Sequence, residues 1–141
     1  MREILFRGKT LTGKWVEGAY YKQELFYGDK EDADIIITSK ETLDNDFALE
    51  RYIVIPETVG QYTGLTDKNG KKIFEGDIVK CKDYLETKPF EFEFQGYVDF
   101  KNGSFVIVGG FMTHYRWLDY EVEVIGNIHD NPELLKEGDV K

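Results

Sequence analysis

The stretch "FEFEFQGYVDFKNGSFVIVGG", Phe90 to Gly110, decides the fold class. Phe90, Phe92, Phe94, Val98 and Phe100 fall on one side of an alternating pattern, with Gly96 among them. Glu91, Glu93, Gln95, Tyr97 and Asp99 fall on the other. Successive side chains of a strand point to opposite faces, so this period of two predicts a strand with one buried face. The glycine inside the run predicts a bulge or bend at Gly96. Asn102-Gly103 follows at once, and both residues tolerate the positive φ that a two-residue hairpin demands. The return run "FVIVGG" is apolar without alternation, which predicts a central strand covered on both faces.

The same grammar extends outward. "FMTHYRW" and "YEVEVIGNI" predict two more strands, with a turn at "LDY" and with Val122 and Val124 pointing inward. Upstream, "ILFRG" and "WVEGAYY" predict two strands of a meander around a turn at "KTLTGK". "ADIIITS" and "YIVI" predict buried strands, and "SKETLDNDFALERY" between them leaves room for a helical turn. The tail "PELLKEG" predicts a short helix: Asn131 as N-cap, Pro132 at the first position, Glu133 in the first turn, Gly138 closing it. Its Leu134 and Leu135 are expected to pack on the body. Pro56 marks a seam. The expectation is a mainly β chain: an N-terminal β meander over residues 1–56, then an SH3-like or related small β-barrel with a terminal helix over 57–141.

Bulk chemistry narrows the function. The 141 residues suit one compact domain or two very small ones, and 41% hydrophobic content is enough for a core. With one cysteine, Cys81, the chain has neither an internal disulfide nor a multi-cysteine zinc site. No apolar run reaches signal-peptide or membrane-span length, so a soluble, cytoplasmic protein is expected. The net charge of -9 disfavours unspecific phosphate-backbone binding. Asp29 to Glu50 carries eight acidic and two basic residues, whereas Gly64 to Lys82 carries five lysines against three acids. Such runs are most simply solvated surface; the sharper reading is an acidic patch for a basic partner.

The central string "TVGQYTGLTDKNGKKIFEGDIVK", Thr58 to Lys80, looks like a site. Its residues also suit a tight succession of turns and strands. "QYTGL" and "KKIF" flank a hairpin-type turn at Asn69-Gly70 that Asp67 can cap, and "DIVKCK" begins a strand after Glu75-Gly76. This string, with "FRGKTLTGKWVEGAYY" and "VIGNIHDNPELL", resembles the YopX family of phage and prophage proteins. The resemblance covers the first twenty or so residues and Pro56 to the C-terminus. The acidic stretch from Asp29 to Glu50 carries no matching motif. The resemblance implies a mainly β protein of bacteriophages and prophages of Gram-positive bacteria. It carries over no catalytic or cofactor-binding residue; Gly60, Gly64, Gly70 and Gly76 are the residues that turns demand.

Chemistry-bearing residues are few. His114 lies in an expected strand and His129 before the expected helix, neither beside a nucleophile motif. His129, Asp130, Asn131 and Glu133 are of metal-ligating types, but their spacing matches no motif and a helix start explains them. Asp67-x-Asn69-Gly70 is not an EF-hand loop, since its glycine falls too early. Cys81 stands between lysines, yet alternation puts it with Val79 on the buried face. Phosphate-loop patterns are absent. Tyr20, Tyr21, Phe26, Tyr27, Tyr62, Tyr84, Tyr97 and Trp117, with Lys68, Lys71, Lys72, Lys80 and Lys82, could form a stacking platform for single strands. Core filling is the simpler reading of those aromatics.

The sequence thus predicts a non-enzymatic phage or prophage accessory protein without cofactor or metal, acting as a macromolecular interaction module in the host cytoplasm. The expected partner is a phage or host protein, with self-association as a further expectation and no membrane. Its candidate surface is Asp29, Glu31, Asp32 and Asp34 together with Lys68, Lys71 and Lys72. A single-strand-binding barrel and a concealed enzyme or metal site near His129 are the alternatives.

Overall fold

The computed structural model describes residues 3–25, 31–41, 47–83 and 92–135. The chain divides into two units, Met1–Tyr62 and Thr63–Lys141. In the first, antiparallel strands β1 (Phe6–Lys9), β2 (Trp15–Leu25), β3 (Glu31–Glu41) and β4 (Phe47–Val54) precede a 3-10 turn at Pro56–Thr58. The start of β5 (Gly60–Thr66) then pairs with β1, in the order β4-β3-β2-β1-β5. Val16, Ile36 and Val54 form the core, with Phe6, Tyr20, Tyr52 and Val59 packed around it. An isolated bridge, Thr10 to Val54, brings the end of β4 back to the end of β1. The Ile55 N–H reinforces it by donating to the Lys9 carbonyl at 2.8 Å.

The helical turn expected within "SKETLDNDFALERY" does not form in its described residues. Ser39–Glu41 continue β3, and Phe47–Tyr52 belong to β4, in an unbroken register from Glu41↔Phe47 to Asp34↔Val54. A ladder of that length satisfies each backbone group it pairs, while one isolated helical turn fixes several residues for a single bond. Residues 42–46 lie outside the described set.

In the second unit, the rest of β5 forms a hairpin with β6 (Lys72–Phe74). β7 (Asp77–Asp83), β8 (Phe92–Lys101), β9 (Ser104–Gly109), β10 (Met112–His114) and β11 (Glu121–Asn127) make an antiparallel sheet ordered β10-β9-β8-β7-β11. Ile73, Val79, Cys81, Phe94, Val98, Ile107, Trp117 and Val122 build its core. Each large apolar side chain buried there contributes about 1.5–3 kcal/mol. Val106, Ile107 and Val108 are all fully buried, as the unalternating run requires.

Several expectations need correction. The SH3-like barrel is not formed: the sheets are not closed, and β10 and β11 are the two edges of the five-stranded one. The physical reason lies on β11. Its open edge is occupied by the β5–β6 hairpin, where the Lys68 N–H donates to the Val122 carbonyl at 3.0 Å and the Val124 N–H to Asp67 Oδ2 at 2.9 Å. The terminal helix is also absent from the described residues. Pro132–Leu134 makes one 3-10 turn and Leu135 is extended. Asn131 forms no side-chain cap, because its Oδ1 faces the Asn127 N–H at 3.3 Å. Gly138 lies outside the described set. "FMTHYRW" is a strand only over Met112–His114, and Trp117 opens a 3-10 turn. Gly96 carries no bulge; its register is continuous on both sides. A Cβ there would stand 2.4 Å from the Val108 carbonyl oxygen, so glycine permits close strand approach. The bulge sits in β11, between Val124 and Gly126. Phe100 is half exposed at the sheet end, its ring set edge-on to Phe105.

Candidate functional site

The Thr58–Lys80 string is built into the fold residue by residue. Thr58 Oγ1 accepts the Lys9 N–H at 2.9 Å and donates to the Ile55 carbonyl at 2.6 Å. Thr63 Oγ1 donates to the Ile73 carbonyl at 2.8 Å. Asp77, 1% exposed, accepts the Phe74 N–H at 2.7 Å. Asp67 does most: Oδ1 takes the N–H groups of Asn69 (2.8 Å) and Lys71 (2.9 Å) while Oδ2 takes that of Val124. Burial pushes its carboxyl up, but the backbone donors at Val124, Lys71 and Asn69, helped by the Lys71 charge, hold it below the ordinary carboxylate range. Gly70 (φ +80°) then closes a three-residue loop by donating to the Asp67 carbonyl. Thr10 to Lys14 closes the same way, with Thr10 Oγ1 accepting the Lys14 N–H. These groups leave little for a ligand.

The basic stripe is neutralised locally. Lys68 Nζ lies 3.4 Å from both Glu121 and Glu123, and the hydrogen bond to Glu123 leads the causes that raise its pKa. Lys80 meets Glu93 at 2.9 Å, a bond that lowers the glutamate's pKa. Lys82 stands in register between Glu121 and Glu93. Lysines of β7 thus alternate with glutamates of β8 and β11. Lys71 is exposed and Lys72 half-buried.

The acidic candidates separate. Asp29 lies outside the described residues, and Glu31 opens β3. Asp32 is exposed, whereas Asp34 is buried and accepts the Tyr20 hydroxyl. Burial first, and Asp34 second, push the Tyr20 phenol up to about 12. Asp32 and Asp34 border a groove of about 260 Å³ with Leu11, Ile53, Ile55 and Pro56. Leu11 is 77% exposed and Ile53 50%.

His114 is buried and stacks on Phe94 at 4.1 Å. Its Nε2 lies 3.1 Å from the Gly109 carbonyl and its Nδ1 3.1 Å from the Tyr120 hydroxyl. A carbonyl only accepts, so in the neutral ring Nε2 carries the proton and Nδ1 accepts from Tyr120. At His129 the backbone N–H donates to Asn127 Oδ1, as does that of Asp130; both serve a turn. No cluster of three or more His, Cys, Asp or Glu poised for a metal occurs among the described residues. Cys81 is fully buried, which pushes its thiol up to about 12. Tyr62 and Trp117 are core residues, and the Trp117 indole donates to the Phe105 carbonyl at 2.9 Å. Tyr20, Tyr21 and Tyr97 are half-buried; Phe26, Tyr27 and Tyr84 lie outside the described set.

Two features escaped the sequence reading. One is the apolar wall that Leu11 and Ile53 give the acidic groove. Its signal was an apolar residue inside the turn "KTLTGK". The other is a cleft of about 280 Å³ in the second unit, floored by Leu65, Ile73, Trp117, Tyr120 and Val122, with exposed Leu118 at its mouth and Asp67, Lys68 and Glu121 on its rim. Among the described residues, no helix is long and apolar enough to cross a membrane.

Comparison with known proteins agrees with this architecture. A family model described as YopX protein matches residues 5–136. The crystal structure of protein EF1440 from Enterococcus faecalis is similar, with 26% identity and a TM-score of 0.52, over 96% of this chain and 100% of that one. No curated protein matches the chain.

Proposed function

The chain belongs to the YopX family, and from that premise we propose a non-enzymatic phage or prophage accessory protein that binds another protein in the host cytoplasm. The observation that carries this reading is the groove in the first unit. Exposed Leu11 and Ile53 stand beside exposed Asp32, which belongs to the strongly acidic stretch from Asp29 to Glu50. Apolar side chains held open at a charged rim are the usual anatomy of a contact surface. The fitting partner presents an apolar segment flanked by basic residues.

Single-stranded nucleic acid fits less well. Lys68 and Lys80 are engaged by glutamates, Lys82 is flanked by them, and a phosphate backbone would have to displace those partners. The test is capture of the tagged protein from phage-infected or prophage-induced cells, with a nuclease-treated arm. A protein partner that survives nuclease, and is lost with Asp32→Lys and with Ile53→Ser but kept with Lys71→Glu, is the expected result. A partner lost with nuclease, or one indifferent to both groove variants, would overturn the proposal.

A further inference from the structure

The hairpin joining β9 to β10 is built against local preference. Gly109 pairs with Met112 and leaves Gly110 and Phe111 as a two-residue loop. Their φ values are +60° and +67°. Such loops favour Asn-Gly or Gly-Gly, because an L side chain at positive φ crowds its own backbone. Phe111 takes on that strain and gains no burial: at 83% it is the most exposed large hydrophobic among the described residues. Strain kept at an exposed apolar side chain points to a use outside the monomer. Met112 beside it is 51% exposed, and β10 is an edge strand. The loop from Gly109 to Met112 carries no charge.

The same unit holds a shape that fits this knob. The 280 Å³ cleft is floored by apolar side chains, and Leu118 at its mouth is 72% exposed. Its volume admits a phenyl ring. Its rim carries Asp67, Lys68 and Glu121; Lys68 is shared between Glu121 and Glu123, and Asp67 is bound by backbone N–H groups. These charged groups are already engaged within the chain, and the knob brings no charge of its own to compete with them. We propose that Phe111 of one copy seats in the Trp117–Leu118 cleft of a second copy. A chain with a net charge of -9 repels itself at most surfaces, and an uncharged knob entering an apolar-floored cleft adds no like charge to that repulsion. One such contact buries on the order of several hundred Å², short of the about 800 Å² per partner of a standard interface. The association is therefore reversible and concentration-dependent. It does not rest on the acidic groove or its partner.

The test is sedimentation velocity of the full chain from about 1 μM to about 1 mM, the range in which weak contacts titrate. Wild type is expected to associate. Phe111→Asn should be monomeric throughout, yet its Tm should rise by roughly 2–4 °C, because asparagine tolerates the backbone that phenylalanine strains. Phe111→Leu, which keeps an apolar knob, should still associate. Leu118→Glu, which blocks the cleft, should be monomeric. Mixing Phe111→Asn with Leu118→Glu should restore a heterodimer, since one supplies the cleft and the other the knob. A monomeric wild type, association of Phe111→Asn equal to wild type, or a mixture that stays monomeric would each overturn the proposal.

Discussion

Two hairpins flank β9. At one end Lys101 and Ser104 close a loop of Asn102 (φ +52°) and Gly103 (φ +80°). At the other Gly109 and Met112 close a loop of Gly110 (φ +60°) and Phe111 (φ +67°). The backbones are alike and the residues are not. Asn-Gly is what the geometry alone selects. Gly-Phe places a bulky ring where the chain resists it. The Asp67 hairpin stands with the first kind, since the Asp67 carboxylate is consumed by the turn and by β11, and Lys68 by two glutamates of β11. In this molecule, a turn that obeys local chemistry is architecture, and a turn that departs from it is where an outside contact is worth seeking.

The comparison can be tested by equilibrium urea unfolding, beginning with the largest effect. Asp67→Ala should cost about 3 kcal/mol, because it strands the backbone N–H groups of Asn69, Lys71 and Val124. A loss no greater than an ordinary surface substitution would remove Asp67 from the architectural class. The same carboxylate should appear in the acid limb. Its folded pKa is depressed, so its contribution is complete above the ordinary carboxylate pKa and lost as pH falls through the lower folded value. Below about pH 4 wild type should therefore lose stability more steeply than Asp67→Asn. Gly103→Phe copies the strained turn into the obedient one and should cost about 1–2 kcal/mol. If it is neutral, the strain assigned to Phe111 is wrong. Smallest of all, Lys71→Ala should change stability by less than about 0.5 kcal/mol. It should still raise the Asp67 pKa slightly, by removing the positive charge that helps to lower it.

Legibility followed the range of the interaction. Alternation in "FEFEFQGYVDF" reports a strand because neighbours i and i+2 share a face, and Phe94 and Val98 are buried accordingly. Asn102-Gly103 and the Asp67 turn were readable for the same reason. Gly96 predicts a bulge or bend and instead admits a close strand, because sequence shows that a side chain is missing and not what approaches the gap. The tail misled in a similar way. Asn131-Pro132-Glu133 carries the composition of a helix start, but the Asn131 carboxamide is drawn to Asn127 instead. Of the candidate surface, Asp32 and Asp34 do share a groove, while Lys68 proved to be held by two glutamates.

By itself the sequence determined the strand class, the turns at Asn69-Gly70 and Asn102-Gly103, the acidic balance and the burial of Cys81. Periodicity and turn chemistry act within a few residues, so the chain writes them locally. Only the tertiary structure decided that Asp67 reaches Val124, 57 positions away, and thereby occupies the edge a barrel would need. It also decided that glutamates of β8 and β11 flank the lysines of β7, that Leu11 and Ile53 border one acidic groove, and that Phe111 stands in solvent. Each depends on which distant strands pair, and pairing is selected by the fit of the whole sheet and is not recorded in any one segment.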